Sequence, residues 1–420
     1  MTRTKRRRVK AMSSDPHTDE EGLPQKDSFA DAIAPTLSRA RLRILIVGAG
    51  IAGVTLAALL KQRGEAPVLI EKNPAGTPGG YMLGLLPLGG RVLHGLGLHD
   101  AYLAESRPMN AYEFNGMSGK RLRHYSLTPI MERYGAYQGI ERGALLDLLH
   151  GSLGDLPVHY GTTIRDLAQD EGGVDVTFDD GSHHRFDLVV AADGIHSTTR
   201  DFILSADEYT PYRTGWGGWV MWTDAPSAMG GTYRELWGPG WGMGLYPVKD
   251  RTGIFLAGRI DALKEKSARS LVDKLKTQLG KRKGPFADAL ESLEPEDEPF
   301  FWDLDDGRAK RWSKGRVVLL GDAAAAFLPT AGAGASVAMD SAAALADELS
   351  RTDAAGMTRA LTLYEKRQRS RVETAQDGSR SLARLMFVNS PALVRLRNAS
   401  MYLYTQKRLL KSLDRMIEGE

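Results

Sequence analysis

The chain of 420 residues contains no cysteine, which excludes disulfides, thiolate metal ligands and a cysteine nucleophile. This absence fits an intracellular protein, and we predict a cytoplasmic location. No apolar run approaches the roughly 20 residues that a transmembrane helix needs, so we expect no membrane span. Histidine is also scarce, at nine residues, and no histidine spacing is backed by carboxylates as a metal site would require. We therefore predict no metal centre.

A large charge of either sign is missing as well. The formal net charge is +3, but six basic residues lie among the first ten, so the rest of the chain carries −3. A body with this charge is not expected to bind nucleic acid. The basic run is followed by an acidic patch, and large apolar side chains are few up to residue 40. We predict that residues 1–40 are a disordered polar tail, with a targeting or nucleic-acid-binding arm as the alternative.

The first strong pattern is RILIVGAGIAGVTLAALLKQRGEAPVLIEK at residues 43–72. A buried strand, glycines spaced G-x-G-x-x-G, a helix, a second strand and a terminal acid follow in the order of a dinucleotide-binding βαβ unit. The glycines allow a tight turn, close approach of a pyrophosphate and helix–strand contact, and the helix N-terminus attracts phosphate. An ordinary βαβ crossover is the alternative. The candidate cofactor-binding residues here are Gly48, Gly50, Ile51, Ala52, Gly53, Glu71 and Lys72.

Two later segments repeat the turn from a strand into glycine. They are DLVVAADGIHSTTR at residues 187–200 and RVVLLGDAAAAFLPTAGAGASVAMD at residues 316–340. Between them, residues 211–259 hold five of the seven tryptophans among glycines and short alternating segments, which predicts an antiparallel sheet in a second lobe. The end of the chain predicts two helices, at about residues 358–387 and 392–417.

Together, the blocks GAGIAG, ADGIHSTTR and GDAAAAFLPTAGAGAS resemble the single-component FAD-dependent aromatic hydroxylases, the p-hydroxybenzoate hydroxylase-like flavoprotein monooxygenases. Within that family the chain is similar to the salicylate hydroxylase and tetracycline-degrading branch. The resemblance implies an α/β fold in which a Rossmann-like FAD-binding domain receives an inserted antiparallel β-sheet substrate domain. The implied parts are the FAD-binding domain at 41–205 and 300–350, the β-sheet lobe at 206–299, and C-terminal helices at 351–420 packed on the FAD-binding domain.

The resemblance also assigns residues to the cofactor. Asp322 would contact the ribityl chain, the helix N-terminus near Gly334 would face the flavin ring, and Arg142 would reach the ribityl–phosphate portion. A surface arginine at a helix start is the alternative for Arg142. The other cofactor candidates are Asp193, Gly194, Gly321, Pro329, Gly332 and Ala335. Ala325 stands where many relatives carry a histidine, which removes a polar contact near the flavin.

The activity implied by the resemblance is hydroxylation of an aromatic or polycyclic small molecule. NAD(P)H would reduce FAD, and O2 would then be captured as a flavin hydroperoxide that transfers one oxygen atom. The protein would be a monomer or homodimer. The sequence assigns no catalytic side chain, although a base would help to ionise a phenolic substrate, and Tyr246 and His124 are candidates for it.

The aromatic lobe is expected to supply the substrate pocket because indole and phenol rings give flat apolar surfaces. In a strand, Trp216 and Trp222 share a face and Trp219 points to the other. Core packing is the alternative for each of these side chains. The candidate substrate-binding residues are Trp216, Trp222, Trp237 and Tyr246.

Other functions stay open on the same scaffold. A geranylgeranyl-type reductase shares the first and third blocks, whereas the Trp-x-Trp-x-Ile-Pro pattern of a halogenase is absent. A flavin-binding protein without turnover, acting as a sensor or partner, is a third possibility. Such a protein would show no substrate-stimulated oxidation of NAD(P)H.

Overall fold

The computed structural model describes residues 28–76, 80–225, 230–264, 267–279, 284–293 and 299–419. Its helices are α1 (Phe29–Arg39), α2 (Ile51–Gln62), α3 (Pro87–Gly95), α4 (His99–Ala104), α5 (Thr128–Tyr134), α6 (Arg142–Leu153), α7 (Thr198–Asp201), α8 (Ile260–Lys264), α9 (Ala268–Leu279), α10 (Pro285–Glu291), α11 (Gly334–Ser350), α12 (Met357–Met386), α13 (Pro391–Ser400) and α14 (Gln406–Glu418). None of the helices in these ranges is long and apolar enough to cross a membrane.

The four sheets of the described residues are built from the following strands. They are β1 (Ile44–Val47), β2 (Val68–Glu71), β3 (Met82–Leu85), β4 (Ser106–Pro108), β5 (Ala111–Gly116), β6 (Arg121–Ser126), β7 (Gln138–Glu141), β8 (Val158–Tyr160), β9 (Ile164–Gln169), β10 (Val174–Phe178), β11 (His183–Phe186), β12 (Leu188–Ala191), β13 (Tyr209–Thr223), β14 (Thr232–Trp237), β15 (Trp241–Val248), β16 (Arg251–Arg259), β17 (Phe301–Ala309), β18 (Ser313–Lys314), β19 (Val317–Leu319) and β20 (Ala325–Ala326).

A six-stranded sheet carries the glycine turns. Its order is β18-β19-β12-β1-β2-β8, and β1 pairs in parallel with both β2 and β12. The residues of β1 and β12 are all buried, as their continuous aliphatic sequence predicts for strands covered on both faces. Helix α2 begins just after β1, and helix α11 begins after the loop that follows β19. The first and third sequence blocks therefore meet at the same edge of one sheet.

An eight-stranded sheet forms the second lobe, in the order β20-β17-β13-β16-β15-β14-β5-β6. The antiparallel sheet expected from the tryptophan-rich segment is present in β13 to β16. The sheet extends beyond the predicted range 206–299, because β5 and β6 join one side and β17 and β20 the other. The pairing of β14 with β5 is parallel and joins distant parts of the chain, so no local turn signal marks it.

The prediction of disorder is wrong for residues 28–40, which contain helix α1. Ser28 caps the helix by accepting a hydrogen bond from the N–H of Asp31, and Ile33 and Leu37 are buried in the main core. The Phe29 ring packs edge-on against Phe178. Two apolar residues four apart bury one helical face, and this is enough to dock a short helix. The basic run and the acidic patch lie in residues 1–27, outside the described residues.

The C-terminal region contains three helices rather than the two predicted. The long helix α12 agrees with the predicted first helix, but the second is divided into α13 and α14. The division lies at residues 401–405, where a short 3-10 turn is followed by Thr405, which caps α14 by accepting from the N–H of Arg408. Threonine is a strong N-cap residue, so it favours a new helix start over continuation.

Candidate active site

The three glycines of the first turn meet three different environments. Gly48 has φ +104°, and a Cβ there would lie 2.5 Å from the carbonyl oxygen of Ala192. A Cβ on Gly53 would lie 2.0 Å from the carbonyl oxygen of Gly48, so this glycine allows α2 to approach the turn. A Cβ on Gly50 would meet nothing within 4 Å. The space beside Gly50 is therefore the open position at which a ligand can approach the backbone.

Glu71 braces this turn from the end of β2. One carboxylate oxygen accepts a hydrogen bond from the N–H of Ala49 at 3.0 Å, and the other accepts from the N–H of Asn73 at 2.9 Å. The glutamate thus holds the glycine loop against the neighbouring strand. Lys72 is exposed and does not line the cleft described below.

The second turn is built from residues 321–334. Gly321 has φ +62°, and its α-carbon packs against α2, since a Cβ there would lie 2.9 Å from the Cβ of Ala52. Pro329 opens a short 3-10 turn that ends at Gly332 in the left-handed conformation, after which α11 begins at Gly334. The chain reverses between Asp322 and Gly334, so that the helix N-terminus returns to the first turn.

Both turns line one cleft, as predicted from the sequence. The cleft holds about 1200 Å³ of empty space, including its open mouth. The predicted residues that line it are Gly50, Ile51, Ala52, Arg142, Gly194, Tyr246, Asp322, Pro329, Gly332, Gly334 and Ala335. The predicted cofactor residues that do not line it are Gly48, Gly53, Glu71, Lys72, Asp193 and Gly321, and apart from the exposed Lys72 these lie in or brace the turns.

Two helix N-termini open into the cleft. The N-cap positions are Gly50 for α2 and Ala333 for α11, and neither helix receives a side-chain cap. Unsatisfied N–H groups and the helix dipole attract anions at such positions. Of the other helices near the site, α7 is capped by Ser197, and α6, which begins at Arg142 and has no side-chain cap either, gives its first N–H to the carbonyl oxygen of Tyr81. The cleft therefore offers two separate anion-binding ends.

Asp322 is the acidic group of the cleft. Its side chain is open to the cleft, yet protein surrounds that cavity, and loss of water raises its pKa to about 6. The hydrogen bonds of the described residues include none to this carboxylate. A carboxylate with free lone pairs is suited to accept hydrogen bonds from ligand hydroxyl groups, and such bonds would offset its desolvation.

Arg142, the first residue of α6, also lines the cleft. Its N–H donates to the carbonyl oxygen of Tyr81 at 2.9 Å, and its guanidinium lies 5.5 Å from the centre of the Tyr81 ring. Tyr81 in turn packs against Trp302 at 4.9 Å between ring centres. Neither Tyr81 nor Trp302 was predicted from the sequence as a site residue. Nothing in the sequence of β17 indicates that Trp302 pairs into the tryptophan-rich sheet.

The Asp193-Gly194 turn connects the two glycine regions. The Asp193 carboxylate accepts from the Ser197 hydroxyl at 2.5 Å and from the N–H of Thr199 at 3.0 Å. The buried Arg200 donates to the carbonyl oxygen of Ala323 at 3.2 Å and so ties this loop to the second turn. Asp193 therefore fixes the loop, while Gly194 faces the cleft.

Three of the four predicted substrate contacts do not line the cleft. Trp216 is covered by Phe387, the residue that follows α12, whose ring stacks on it at 4.1 Å between centres. Trp222 lies under the guanidinium of Arg251 at 3.8 Å, and Trp237 is buried in a separate apolar cluster. Trp216 and Trp222 do share a strand face with Val220, but of these three residues only Val220 lines the cleft.

Of the two candidate bases, the structure places only Tyr246 at the cleft. The imidazole of His124 lies on β6, where its Nδ1 is 3.2 Å from a carboxylate oxygen of Glu113 and the ring is half exposed. Ala325 is buried in β20 and lines a small cavity behind Asp322 together with Trp312. The described residues contain no group of three or more histidine and acidic side chains placed to hold a metal ion.

Comparison with known proteins agrees with this geometry. A family model described as FAD binding domain matches residues 41–379, so the chain belongs to that family. It is 33% identical over 307 residues to the 3-amino-4-hydroxybenzoate 2-monooxygenase of Streptomyces cremeus, covering 71% of this chain and 76% of that protein. It is 28% identical over 339 residues to the FAD-dependent urate hydroxylase of Klebsiella pneumoniae, covering 79% of this chain and 87% of that protein.

Solved structures show the same fold. Klebsiella pneumoniae HpxO, solved with FAD and uric acid, superposes with a TM-score of 0.80 at 24% identity, covering 90% of this chain and 97% of that chain. The tetracycline destructase Tet(55) superposes with a TM-score of 0.68, also at 24% identity, covering 90% and 97% of the two chains. The predicted α/β fold with a Rossmann-like FAD-binding domain is confirmed.

The family and the cleft together define the class of protein. The chain is an FAD-dependent monooxygenase of the aromatic hydroxylase class, as the resemblance implied. The residues present fit the cofactor because Gly50 leaves the backbone open, two uncapped helix N-termini face the cleft and Asp322 lacks a hydrogen-bond partner among the described residues. FAD is the cofactor of this class.

Proposed function

We propose that the chain uses NAD(P)H and O2 to hydroxylate an aromatic or polycyclic small molecule. The observation that carries this proposal is that both glycine turns and the eight-stranded sheet line the same cleft. The substrates in the names of the relatives, an aminohydroxybenzoate and urate, are flat rings with polar substituents. The relatives favour hydroxylation over the reductase, halogenase and non-catalytic alternatives.

In this proposal the first turn binds the diphosphate end of the cofactor. The N–H groups at the start of α2 face the phosphates, and Gly50 lets them approach the backbone. Asp322 accepts hydrogen bonds from ribityl hydroxyl groups, and Arg142 adds positive charge near the phosphates. The N-terminus of α11 stabilises negative charge at the ring, a contribution of about 0.3–2 kcal/mol.

FAD, when bound, would supply reduction by NAD(P)H and transfer of one oxygen atom from O2. The side chains of this protein would orient the substrate and exclude water. Val220, Phe255 and Trp302 form an apolar wall of the cleft. An aromatic substrate ring that binds against this wall displaces water from it. The division into an FAD-binding domain, a β-sheet lobe and C-terminal helices belongs to this proposal, as does the monomeric or homodimeric state.

The test is oxygen uptake linked to NADH or NADPH oxidation by the FAD-loaded protein. The substrate panel should contain phenols, aminohydroxybenzoates, urate and tetracyclines, and products should be analysed after turnover under 18O2. We expect one panel member to stimulate oxidation and to gain one labelled oxygen atom. Reduction of the flavin without any oxygenated product across the panel would contradict the proposal.

A further inference from the structure

Many of the exposed apolar side chains of this protein lie close together near its C-terminus. Eleven large apolar side chains are exposed among the described residues, and five of them lie between residues 385 and 403. They are Leu385, Leu393, Leu396, Tyr402 and Leu403, which together we call the apolar patch. Leu396 and Leu403 are 66% and 71% exposed. Single exposed apolar residues are ordinary on a protein surface, whereas a cluster of them marks an interaction site.

Helix α13 holds the apolar patch on a fixed base. Val394 and Arg397 are buried on one face of this helix, and Leu396 lies across the helix from Val394. The Arg397 guanidinium donates to the carbonyl oxygens of Trp237 at 2.7 Å and Leu385 at 3.2 Å. These bonds connect α13 to the eight-stranded sheet and to the end of α12. The apolar patch is therefore part of a packed surface.

The chain segment that carries the patch is strongly basic. Residues 378–413 contain seven arginine and lysine residues and no aspartate or glutamate. Five of the seven are exposed and take part in none of the ion pairs of the described residues, namely Arg384, Arg395, Lys407, Arg408 and Lys411. The two acids that border the segment pair elsewhere, Asp377 with Arg308 and Asp414 with Arg133. The patch therefore lies among cations that have no acidic partner in the described part of the chain.

An anionic lipid surface complements both properties of this region. Lipid phosphates would neutralise the unpaired arginine and lysine side chains, and the apolar side chains would reach the boundary between head groups and acyl chains. A second copy of this chain fits less well, because a two-fold contact would place the basic residues of the two copies against each other. The combination of exposed leucines with unpaired cations therefore favours lipid over self-association.

We propose that the apolar patch docks this protein on a membrane surface that contains anionic lipids. Leu393, Leu396 and Leu403 enter the lipid boundary, while Arg395 and Lys407 bind the head groups. None of the patch residues or the five exposed cations lines the cleft. Docking would fix where the protein works without altering the chemistry of the cleft, so this proposal holds or fails separately from the proposed function.

The decisive measurement is flotation of the FAD-loaded full chain with vesicles of equal parts phosphatidylcholine and phosphatidylglycerol, compared with vesicles of phosphatidylcholine alone. We expect the parent protein to bind the anionic vesicles and to be released at high salt, because salt screens exposed charges. The double variant Leu396→Ser with Leu403→Ser should bind them about tenfold more weakly or worse, since it buries less apolar surface. Leu103→Ser with Leu363→Ser is the matched control, because both leucines are exposed outside the patch, and it should bind as the parent does.

The charges are tested by the double variant Arg395→Gln with Lys407→Gln. We expect it to bind the anionic vesicles about 25-fold more weakly, which is about fivefold for each basic residue lost. The matched control is Arg39→Gln with Arg165→Gln, which removes the same charge from exposed positions on α1 and β9. Because charges distant from the lipid are screened, the control should keep the parent affinity within about twofold.

FAD retention checks that each variant is folded, and light scattering without lipid measures self-association. Failure of the parent protein to bind anionic vesicles would overturn the proposal. Unchanged binding by the leucine variant would also overturn it, because the basic run at residues 3–10 would then account for the binding. A parent dimer that becomes a monomer in the leucine variant would overturn it in favour of an interface between two copies.

Discussion

At the residue scale, the glycines of the first turn differ in whether the fold itself requires a residue without a side chain. Gly48 and Gly53 are required by the fold, because a Cβ at either position would collide with backbone oxygen. Gly50 is not, since a Cβ there would meet open space at a negative φ of −78°. The spacing G-x-G-x-x-G predicts the turn from the sequence, but only the geometry separates the ligand-facing glycine from the structural ones.

The change Gly50→Ala should therefore weaken FAD binding without destabilising the fold. The added methyl group would occupy the position at which the diphosphate approaches the backbone, and we expect FAD affinity to fall by about tenfold or more, equivalent to about 1.4 kcal/mol. Fluorescence titration of the apoprotein with FAD measures the affinity. Gly151→Ala in α6 is the control, because its Cβ also meets nothing within 4 Å but lies away from the cleft. Equal FAD affinity in Gly50→Ala and the parent would contradict this assignment.

Asp322→Asn should stabilise the apoprotein in a pH-dependent manner. The pKa of Asp322 is raised from 3.8 to about 6, so folding favours the protonated carboxyl, and stability is lost as the pH rises through 6. The full shift corresponds to about 3 kcal/mol, and solvent in the cleft reduces this to about 1–2 kcal/mol. Denaturant unfolding at pH 8 should show this gain, which should shrink toward pH 5 and vanish below pH 4. A gain that is independent of pH would rule out ionisation as its cause.

At the element scale, helix α12 holds the second turn in place without contacting the cleft. The buried Gln376 donates to the carbonyl oxygens of Gly307 at 2.9 Å and Ala326 at 2.6 Å. The Ser379 hydroxyl donates to the carbonyl oxygen of Leu328 at 2.7 Å, and Leu328 lines the cleft. The helix thus connects β17, β20 and the turn that precedes α11.

Gln376→Ala should reduce both stability and FAD affinity. Two buried carbonyl groups would lose their donor, at about 1–3 kcal/mol each, and the segment 327–335 would lose its support. We expect a lower midpoint of denaturant unfolding and a weaker affinity for FAD in titration. Arg384→Ala on an exposed position of the same helix is the control and should change neither. If Gln376→Ala keeps full FAD affinity despite lower stability, the helix does not position the turn.

Helix α1 carries a second prediction at this scale. Leu37 is 3% exposed within the main core, so Leu37→Ala should destabilise the protein by about 2–4 kcal/mol through lost burial and a cavity. The exposed Arg39→Ala change should lie within about 0.5 kcal/mol of the parent. Both are measured by denaturant unfolding. A small effect of Leu37→Ala would mean that the helix detaches before the core unfolds.

The predictable part of the molecule is the part governed by local pattern. The strand, glycine turn and helix at residues 44–62 follow from buried aliphatic residues and spaced glycines, and the second turn follows from Asp322, Pro329 and the glycines after it. The parallel pairing of β14 with β5 was not predictable, because its partners are distant in the chain and no turn joins them. The same reason hid Trp302, whose strand reaches the lobe only through its pairing with β13.

At the whole-molecule scale, the cleft lies where the two large sheets meet. The α2 N-terminus and Ala192 contribute from the six-stranded sheet, and Val220, Tyr246 and Trp302 contribute from the eight-stranded sheet. A ligand that fills this cleft contacts both lobes. Its binding energy is then shared between the two sheets.

FAD should therefore stabilise both lobes together, whereas ADP at the same free concentration should stabilise the protein less, because ADP reaches only the first turn and should bind more weakly. At a free FAD concentration 100 times its Kd, the gain is about 2.7 kcal/mol. Tryptophan fluorescence reports the eight-stranded sheet, which holds six of the seven tryptophans, and it can be followed during denaturant unfolding with far-ultraviolet circular dichroism as the second probe. We expect FAD to shift both transitions by the same amount. If FAD moved only one of the two transitions, the cofactor would not bridge the sheets, and the site would be confined to the glycine turns.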